Sequence, residues 1–316
     1  MNHTSLAVSE FVLKCEMDTQ QKSYTTPVLT MVYLVTLFGN FLVILVIKMN
    51  HHLQTPMYLY IAALATLDLL NSTSIAPTII AALLDISPVQ SGLCLFQMIL
   101  VLYLEAVESL LLALMACDRY VAIVHPLRYS SLVTNKTVGV ALMLLNIIPA
   151  IFMLPFIVFV TEFSLCYTNV LNYCFCDYVS LVKIACNVER KHLNVFVPTY
   201  IAFGVGPLVV IIMSYFRIAY AALKISSADG RTKAFNTVTT HLLVVGLFNI
   251  PISTSYALTG IGVKLSAEAY NTMIIVGNIV PPMLNPIIYS FRNKKIKSSI
   301  HKLFTGVKTT PESRRH

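Results

Sequence analysis

Residues 115–129 read Met-Ala-Cys-Asp-Arg-Tyr-Val-Ala-Ile-Val-His-Pro-Leu-Arg-Tyr and follow a long apolar run. The charged pair Asp118-Arg119 therefore lies at the end of a hydrophobic helix, and a basic stretch containing Pro126 comes after it. Charged side chains in such a position are costly, and they usually mark a functional site.

The composition of the whole chain is that of a membrane protein. Of its 316 residues, 57% are hydrophobic and 11% are charged, with a mean hydropathy of +0.75, whereas a soluble domain carries about 25% charged residues. A membrane-spanning helix needs about 20 mostly apolar residues. The sequence contains seven such runs, at residues 26–47, 57–83, 94–124, 138–160, 194–222, 236–258 and 270–291. We therefore expect an all-α membrane protein with a tail at 1–25, a seven-transmembrane helix bundle at 26–291 and a C-terminal segment at 292–316.

The basic residues predict the orientation of the bundle. The odd-numbered connections and the C-terminus together hold 16 of the 22 Lys and Arg residues. Because cytoplasmic loops are enriched in Lys and Arg, the N-terminus is expected outside the cell and the C-terminus in the cytoplasm. No basic segment with a cleavage site precedes the first run, so no signal peptide is expected. The net charge of +8 lies in short loops and a short tail, which favours anionic lipid and a cytoplasmic partner over nucleic acid.

The tail also carries a candidate modification site. Asn2-His3-Thr4 is an N-glycosylation sequon on the side expected to be extracellular. The sequons at Asn71 and Asn135 fall within a span and on the cytoplasmic side, so we interpret both as chance matches.

Five of the seven cysteines lie near the third run and in the connection after the fourth, on the expected outer side, where disulfides persist. Cys94 begins the third run, and Cys166, Cys174, Cys176 and Cys186 crowd the connection between the fourth and fifth runs. A bridge from Cys94 to this connection would hold a lid over the bundle, and a second bridge would fold the connection upon itself. The spacing in Cys174-Phe175-Cys176 is poor for a metal site.

Three carboxyl groups lie within the apolar runs. Glu105 and Glu108 share one face of the third run, and a rise of about 1.5 Å per residue places Asp68 at a depth similar to that of Glu108. Two adjacent carboxylates need a shared proton or a cation, and oxygen ligands suit a hard ion such as sodium. The alternative is a pair of protonated acids hydrogen-bonded to asparagine side chains of the bundle, at Asn40, Asn278 or Asn285.

The last run contains Pro281, Pro282 and Pro286, which remove backbone donors. Prolines in a span are tolerated when neighbouring groups satisfy the freed carbonyls, and both a hinge and a static kink fit the pattern. After Arg292, apolar residues recur at helical spacing among lysines, at Ile296, Ile300 and Leu303. This pattern predicts an amphipathic helix on the inner leaflet, with a solvated basic tail as the alternative.

Taken in order, these features resemble a rhodopsin-like G-protein-coupled receptor and, more narrowly, an odorant receptor. The resemblance covers residues 11–300, and the ordered set of motifs is highly specific. The motifs are Gly39-Asn40, Pro56-Met57-Tyr58, Leu64-Ala65-Thr66-Leu67-Asp68, Glu108-Ser109-Leu110-Leu111-Leu112, residues 115–129, Ser214-Tyr215, Lys233-Ala234-Phe235, Thr240-His241-Leu242 and residues 281–293.

The resemblance implies a plasma-membrane receptor that binds a small organic odorant. It would activate a stimulatory, olfactory-type heterotrimeric G protein and raise cyclic AMP. At rest Arg119 would be held by Asp118, and it would engage the G protein once spans five to seven rearrange. The residues implied in coupling are Asp118, Arg119, Tyr120, Tyr215, His241, Asn285, Pro286 and Tyr289.

The resemblance also implies a sodium site at Asp68 and Glu108. It implies disulfides between Cys94 and Cys176 and between Cys166 and Cys186, which leave Cys15 and Cys174 over. The chain departs from the family pattern at Cys117, where odorant receptors usually have Tyr. It departs again at Glu105, where a small uncharged residue is more common.

The ligand cavity of such receptors lies in the outer half of spans three, five, six and seven. The residues expected to line it are Met98, Val101, Leu102, Glu105, Ala106, Phe203, Val205, Gly206, Ile252, Ser253 and Tyr256. A mostly apolar cavity with few polar groups suits a small organic molecule. An ionised Glu105 would favour an amine or another hydrogen-bond donor; the alternatives are a protonated acid or participation in the Glu108 ion site.

Two other classes of protein fit less well. Transporters commonly show internal repeats with interrupted helices in both halves, and here the prolines cluster in one span. An intramembrane enzyme would need a nucleophile with a base, or metal-binding histidines at helical spacing. Only His241 of the eight histidines lies within a run, so no enzymatic activity is expected.

Overall fold

The computed structural model describes residues 9–86, 88–165, 168–224, 227–260, 263 and 265–305. Its helices are α1 (Thr19–Met49), α2 (Pro56–Leu83), α3 (Ser91–Val124), α4 (Pro126–Leu132), α5 (Asn135–Glu162), α6 (Tyr178–Ile184), α7 (Arg190–Tyr200), α8 (Gly206–Leu223), α9 (Ala228–Gly260), α10 (Ala267–Arg292) and α11 (Lys294–Thr305). A 3-10 turn at His51–Leu53 joins α1 to α2, and a π-helical turn at Ile201–Val205 joins α7 to α8 into one long segment.

Each of the seven apolar runs lies inside one long helical segment, so the predicted seven-helix bundle is confirmed. Within the described part of the chain, six segments are long and apolar enough to cross a bilayer. The remaining segment, α9, contains a shorter apolar stretch at Leu242–Thr254.

The first helix is longer than the apolar pattern predicted. It begins at Thr19 rather than at residue 26 because Asp18 caps it: the backbone N–H of Gln21 donates to Asp18 Oδ1 at 2.7 Å. Such a cap satisfies an N–H group that has no partner within the helix. The N-terminal tail at 1–25 is therefore shorter than expected, and the polar residues 19–25 form the first turns of α1.

The prolines of α10 are accommodated by α1. Pro286 has no N–H to donate to the carbonyl of Pro282, one helical turn earlier. The Asn40 side chain donates to that carbonyl instead, with Nδ2 2.8 Å from the oxygen. Gly39 permits the close approach, since a Cβ atom at this position would lie 2.9 Å from Cγ of Pro286. The prolines of α10 are thus accommodated by contacts with the first span.

One end of the bundle, here called the disulfide face, carries a small three-stranded sheet. Strand β1 (Glu10–Leu13) pairs antiparallel with β2 (Val89–Gln90) and parallel with β3 (Val170–Leu171). The lid, defined as residues 168–186, crosses this face between α5 and α7. Part of the predicted tail is therefore a structural strand.

The lid is tied down by two disulfides. Cys94 bonds to Cys176, the pairing that the resemblance implied, and Cys15 bonds to Cys174. The expectation that Cys15 and Cys174 are left over is wrong, because strand β1 places the N-terminal segment directly beside the lid. Cys186 is also disulfide-bonded, while its expected partner Cys166 lies outside the described residues.

The opposite end, here called the Arg119 face, holds α4 and α11. Helix α11 forms where the amphipathic pattern predicted a helix. Ile296 is fully buried and Ile300 is half-buried, but Leu303 is exposed.

Candidate functional site

A cavity of about 610 Å³, including the space at its mouth, lies between α3, α5, α7 with the π turn, and α9. Its walls are mostly apolar with a few polar groups, as in sites that bind small organic molecules. It is lined by Leu102, Glu105, Ala106, Ser109, Met153, Phe156, Phe196, Thr199, Tyr200, Phe203, Gly204, Phe248, Asn249, Ile252 and Ser253.

The structure places most of the predicted ligand-binding residues on these walls. Those that line the cavity are Leu102, Glu105, Ala106, Phe203, Ile252 and Ser253. Four do not: Met98, Val101, Val205 and Gly206. The side chain of Tyr256 lies outside the described part of the structure.

Two physical causes explain why these four residues do not line the cavity. Met98 and Val101 are buried in the core cluster beneath the lid, which the Cys94–Cys176 bond holds against the outer turns of α3. Val205 points away from the bundle and is 40% exposed. The π turn holds more residues than an α-helical turn and rotates the register of Val205 and Gly206 away from the cavity.

The prediction missed a stripe of cavity residues on α7 and the π turn. Phe196, Thr199, Tyr200 and Phe203 recur at the spacing of one helical face, and this periodicity is visible in the sequence. The α5 residues Met153 and Phe156 carry no such signal, because α5 is apolar on most of its faces.

Glu105 is the acidic residue of the cavity wall. It is 8% exposed, and Asn278 Nδ2 donates to its Oε1 at 3.0 Å. Asn71 Nδ2 donates in turn to Asn278 Oδ1 at 2.9 Å. This chain of amides orients the donor toward Glu105 and connects the cavity to the interior of the bundle. One helical turn along α3, the Ser109 hydroxyl is buried and has no hydrogen-bond partner among the described residues.

The two remaining carboxyls, Asp68 and Glu108, are both buried in the interior. Asn285 Nδ2 donates to both oxygens of Asp68, at 3.3 and 3.1 Å. Several buried oxygens around them lack a partner in the part of the chain that is described: Glu108 Oε1, Ser72 Oγ, Asn285 Oδ1 and Tyr289 OH. Carboxylate, amide and hydroxyl oxygens are the ligands of a hard cation, so these side chains fit a sodium ion.

At the Arg119 face, Asp118 and Arg119 form an ion pair through Arg119 Nη2, and Arg119 Nε lies 2.9 Å from Asp118 Oδ2. Tyr129 of α4 donates to Asp118 Oδ1 at 2.9 Å. Burial, followed by the charge of Asp118, raises the pKa of Tyr129 to about 12, so Tyr129 stays a donor at physiological pH. This contact was not predicted, because it joins α3 to a short helix whose position the sequence does not indicate.

The other residues implied in coupling lie in several places. Asn285 contacts Asp68 and Pro286 lies against Gly39. Tyr215 and Tyr289 are buried in the same core cluster, and Tyr120 lies against His125 at the surface, with its hydroxyl 3.4 Å from Nε2. The side chain of His241 is outside the described residues, as is Asn2.

Comparison with known proteins identifies the family. The sequence model of the olfactory receptor family matches residues 29–306. Olfactory receptor 7G3 of Homo sapiens is 35% identical over 87% of this chain and 88% of its own. Olfactory receptor 1M1 of Mus musculus is 34% identical over 96% of both chains. Olfactory receptor 51E2 of Rattus norvegicus is 35% identical over 88% of this chain and 87% of its own. The chain belongs to the olfactory receptor family.

Membership in the olfactory receptor family establishes the general activity. The chain is an odorant-sensing G-protein-coupled receptor, a multi-pass protein of the plasma membrane and not an enzyme. This olfactory receptor bundle contains two separate sites. One is the cavity among α3, α5, α7 and α9, and the other is the ion pair at Arg119.

The lid of this olfactory receptor is fastened to α10 as well as to α3. Tyr270 OH donates to Asp177 Oδ2 at 2.8 Å, and the rings of Tyr270 and Tyr173 meet edge to face at 5.2 Å. Burial raises the pKa of Asp177, although its hydrogen bonds act in the opposite direction. Lys183 Nζ lies over both rings, 5.2 and 5.4 Å from their centroids.

Proposed function

We propose that this receptor prefers odorants with an amine or another hydrogen-bond donor, held by Glu105. The observation that carries the proposal is a buried carboxyl on the wall of a mostly apolar cavity. Asn278 donates to one of its oxygens at 3.0 Å, which orients the carboxyl on the wall of the cavity. An ion pair formed where water is largely excluded is stronger than one at a surface.

Signalling would follow from release of Arg119. Its partner Asp118 is buried and accepts from both Arg119 and Tyr129, an arrangement that suits the resting state. Rearrangement of α8, α9 and α10 would free the guanidinium for a stimulatory G protein of the olfactory type, which raises cyclic AMP. The Arg119 face would be cytoplasmic, as the distribution of basic residues indicates, and the N-terminus extracellular.

A sodium ion would be held by Asp68 and Glu108 together with Ser72 Oγ and Asn285 Oδ1, which have no partner among the residues that the structure describes. The ion would neutralise part of the negative charge in the interior. Within the protein itself, Asn285 links Asp68 to the proline-containing half of α10.

The test of the ligand preference is a cyclic-AMP assay of the full receptor with alkyl amines and neutral alcohols of matched chain length. Glu105→Gln keeps the shape of the side chain and removes its charge, so amine potency should fall about tenfold or more while alcohol potency changes little. Glu268→Gln, an exposed position on α10, is the matched control. An unchanged response profile in Glu105→Gln would refute the amine preference.

Coupling is tested separately with Arg119→Ala. This variant should lose ligand-dependent cyclic AMP while surface abundance and ligand binding remain. Full signalling by Arg119→Ala would show that the ion pair is not the G-protein contact.

A further inference from the structure

Two polar side chains beside the cavity are buried without a hydrogen-bond partner in the described parts of the protein. They are Tyr178, through its hydroxyl, and His192, through Nε2. Tyr178 is 3% exposed and His192 is 2% exposed. Leaving a buried polar group unpaired destabilises the fold, so two such groups among the same aromatic rings call for an explanation.

Both groups lie where the walls of the cavity continue toward the disulfide face. His192 precedes Phe196 by one helical turn, on the same face of α7 that lines the cavity. On α5, Phe159 follows the cavity residue Phe156 by about one turn. The ring centroid of Phe159 lies 4.9 Å from that of His192. The outer end of the cavity is thus bounded by aromatic rings with His192 behind them.

Tyr178, at the start of α6 in the lid, closes this aromatic cluster. Its ring meets Phe156 edge to face at 5.0 Å and is parallel to Phe196 at 6.3 Å. Both of these phenylalanines line the cavity. Phe163 contacts both rings, at 6.1 Å from Tyr178 and 4.9 Å from His192, so the two polar groups share one neighbourhood.

The hydrogen bonds indicate what the two groups offer. His192 Nδ1 lies 2.8 Å from the backbone N of Glu189 and 3.2 Å from its carbonyl oxygen. We assign the shorter contact, in which the Glu189 N–H donates to Nδ1, and this places the ring proton on Nε2. Burial raises the pKa of Tyr178 to about 12, which keeps its hydroxyl protonated. Tyr178 and His192 therefore present two hydrogen-bond donors in an apolar aromatic surrounding.

We propose that Tyr178 and His192 form an outer subsite of the odorant cavity, which takes a hydrogen-bond acceptor of the ligand such as a ketone or ester carbonyl. The subsite opens to the cavity when the Phe196 ring turns aside. It rests on the proposed odorant cavity and extends it: Glu105 recognises a donor at one end of the ligand, and Tyr178 with His192 recognises an acceptor at the other. The best ligand class is then an amino ketone or amino ester.

The experiment measures binding to the purified full-length receptor in lipid nanodiscs, so that it does not depend on a G protein. The probes form two matched pairs. The first pair is an amino ketone and the alkyl amine of equal chain length. The second pair is a neutral ketone and the alkene in which a CH2 group replaces the carbonyl oxygen. The readouts are the dissociation constant and the ligand-induced rise in melting temperature.

The carbonyl-bearing member of each pair should bind wild type about tenfold more tightly than its partner. Tyr178→Phe and His192→Phe keep the aromatic packing and should each abolish most of that difference, leaving carbonyl-free probes unchanged. Tyr24→Phe and His51→Phe, at exposed positions, are the matched controls. Surface abundance of Tyr178→Phe should not fall, because the variant removes an unpaired buried hydroxyl.

Three outcomes would overturn the subsite. If the variants lose equal affinity for the carbonyl-bearing and the carbonyl-free probe of a pair, the two side chains act only through packing. Equal binding of both members by wild type would mean that water satisfies the two donors. Binding of no probe by wild type would remove the odorant cavity of the proposed function, and the subsite with it.

Discussion

The hydroxyl of Tyr129 lies 2.9 Å from Asp118 Oδ1 and shares the Asp118 carboxylate with Arg119. Asp118 is therefore held from two sides, by its neighbour on α3 and by the short helix α4. The connection after the third span thus helps to fix the position of Arg119, the proposed coupling residue. Any change in α4 that withdraws Tyr129 would leave the Asp118–Arg119 pair with one support fewer.

Tyr129→Phe is expected to raise basal signalling. The substitution removes one hydrogen bond from Asp118 and leaves the ring in place, so the resting arrangement loses about 1 kcal/mol. A shift of that size changes the ratio of active to resting receptor about fivefold. Basal cyclic AMP, divided by surface abundance, measures it.

Tyr220→Phe is the control for this variant, because Tyr220 is exposed on α8. Basal signalling of Tyr129→Phe that equals wild type, at equal abundance, would mean that α4 does not restrain Arg119.

Gly39→Ala is expected to destabilise the receptor. The added Cβ would lie 2.9 Å from Cγ and 3.2 Å from Cβ of Pro286, and a proline ring cannot move aside as a flexible side chain can. Overpacking of this kind costs about 1–3 kcal/mol and should also strain the bond between Asn40 and Pro282. The measurement is the melting temperature of the purified receptor.

Gly139→Ala supplies the comparison, since a Cβ at Gly139 meets nothing within 4 Å. Its melting temperature should equal or exceed that of wild type. If the two alanine variants melt alike, the contact between α1 and α10 does not limit stability.

The apolar runs predicted the position of every span, because a helix in lipid needs a long uninterrupted hydrophobic segment. Such a segment is directly visible in the sequence. Positions within a span were harder to predict. Val205 was expected on the cavity wall, yet the π turn rotates it outward. No pattern in the sequence predicted that turn. Similarly, Tyr129 and the Cys15–Cys174 bond depend on segments that meet only after folding. Phe196 and Tyr200 were different, because their helical spacing was readable in the sequence and was overlooked.

Removal of the Cys15–Cys174 bond is expected to lower stability without abolishing signalling. Disulfides typically contribute about 2–4 kcal/mol, and this one joins the N-terminal segment to a lid that is already tied to Cys94. Cys15→Ser, Cys174→Ser and the double variant should lose the same amount, because either substitution breaks the same bond. The melting temperature of the purified receptor measures the loss, and additive losses would mean that the two cysteines act independently.

Asp177→Asn is expected to change how stability depends on pH. Burial raises the pKa of Asp177 in the folded receptor, while in the unfolded chain the pKa is about 3.9. Between these values the folded state binds more protons than the unfolded state, so this carboxyl contributes stability at low pH that is lost as pH rises. Asparagine still accepts from Tyr270 but does not ionise. The melting temperature of wild type minus that of the variant should therefore fall as the pH rises above about 4, the pKa of the unfolded chain. Asp85→Asn, where the side chain is 78% exposed, should show no such fall. A difference that instead grows with pH would mean that the bonds from Tyr270 and Ser180 outweigh burial.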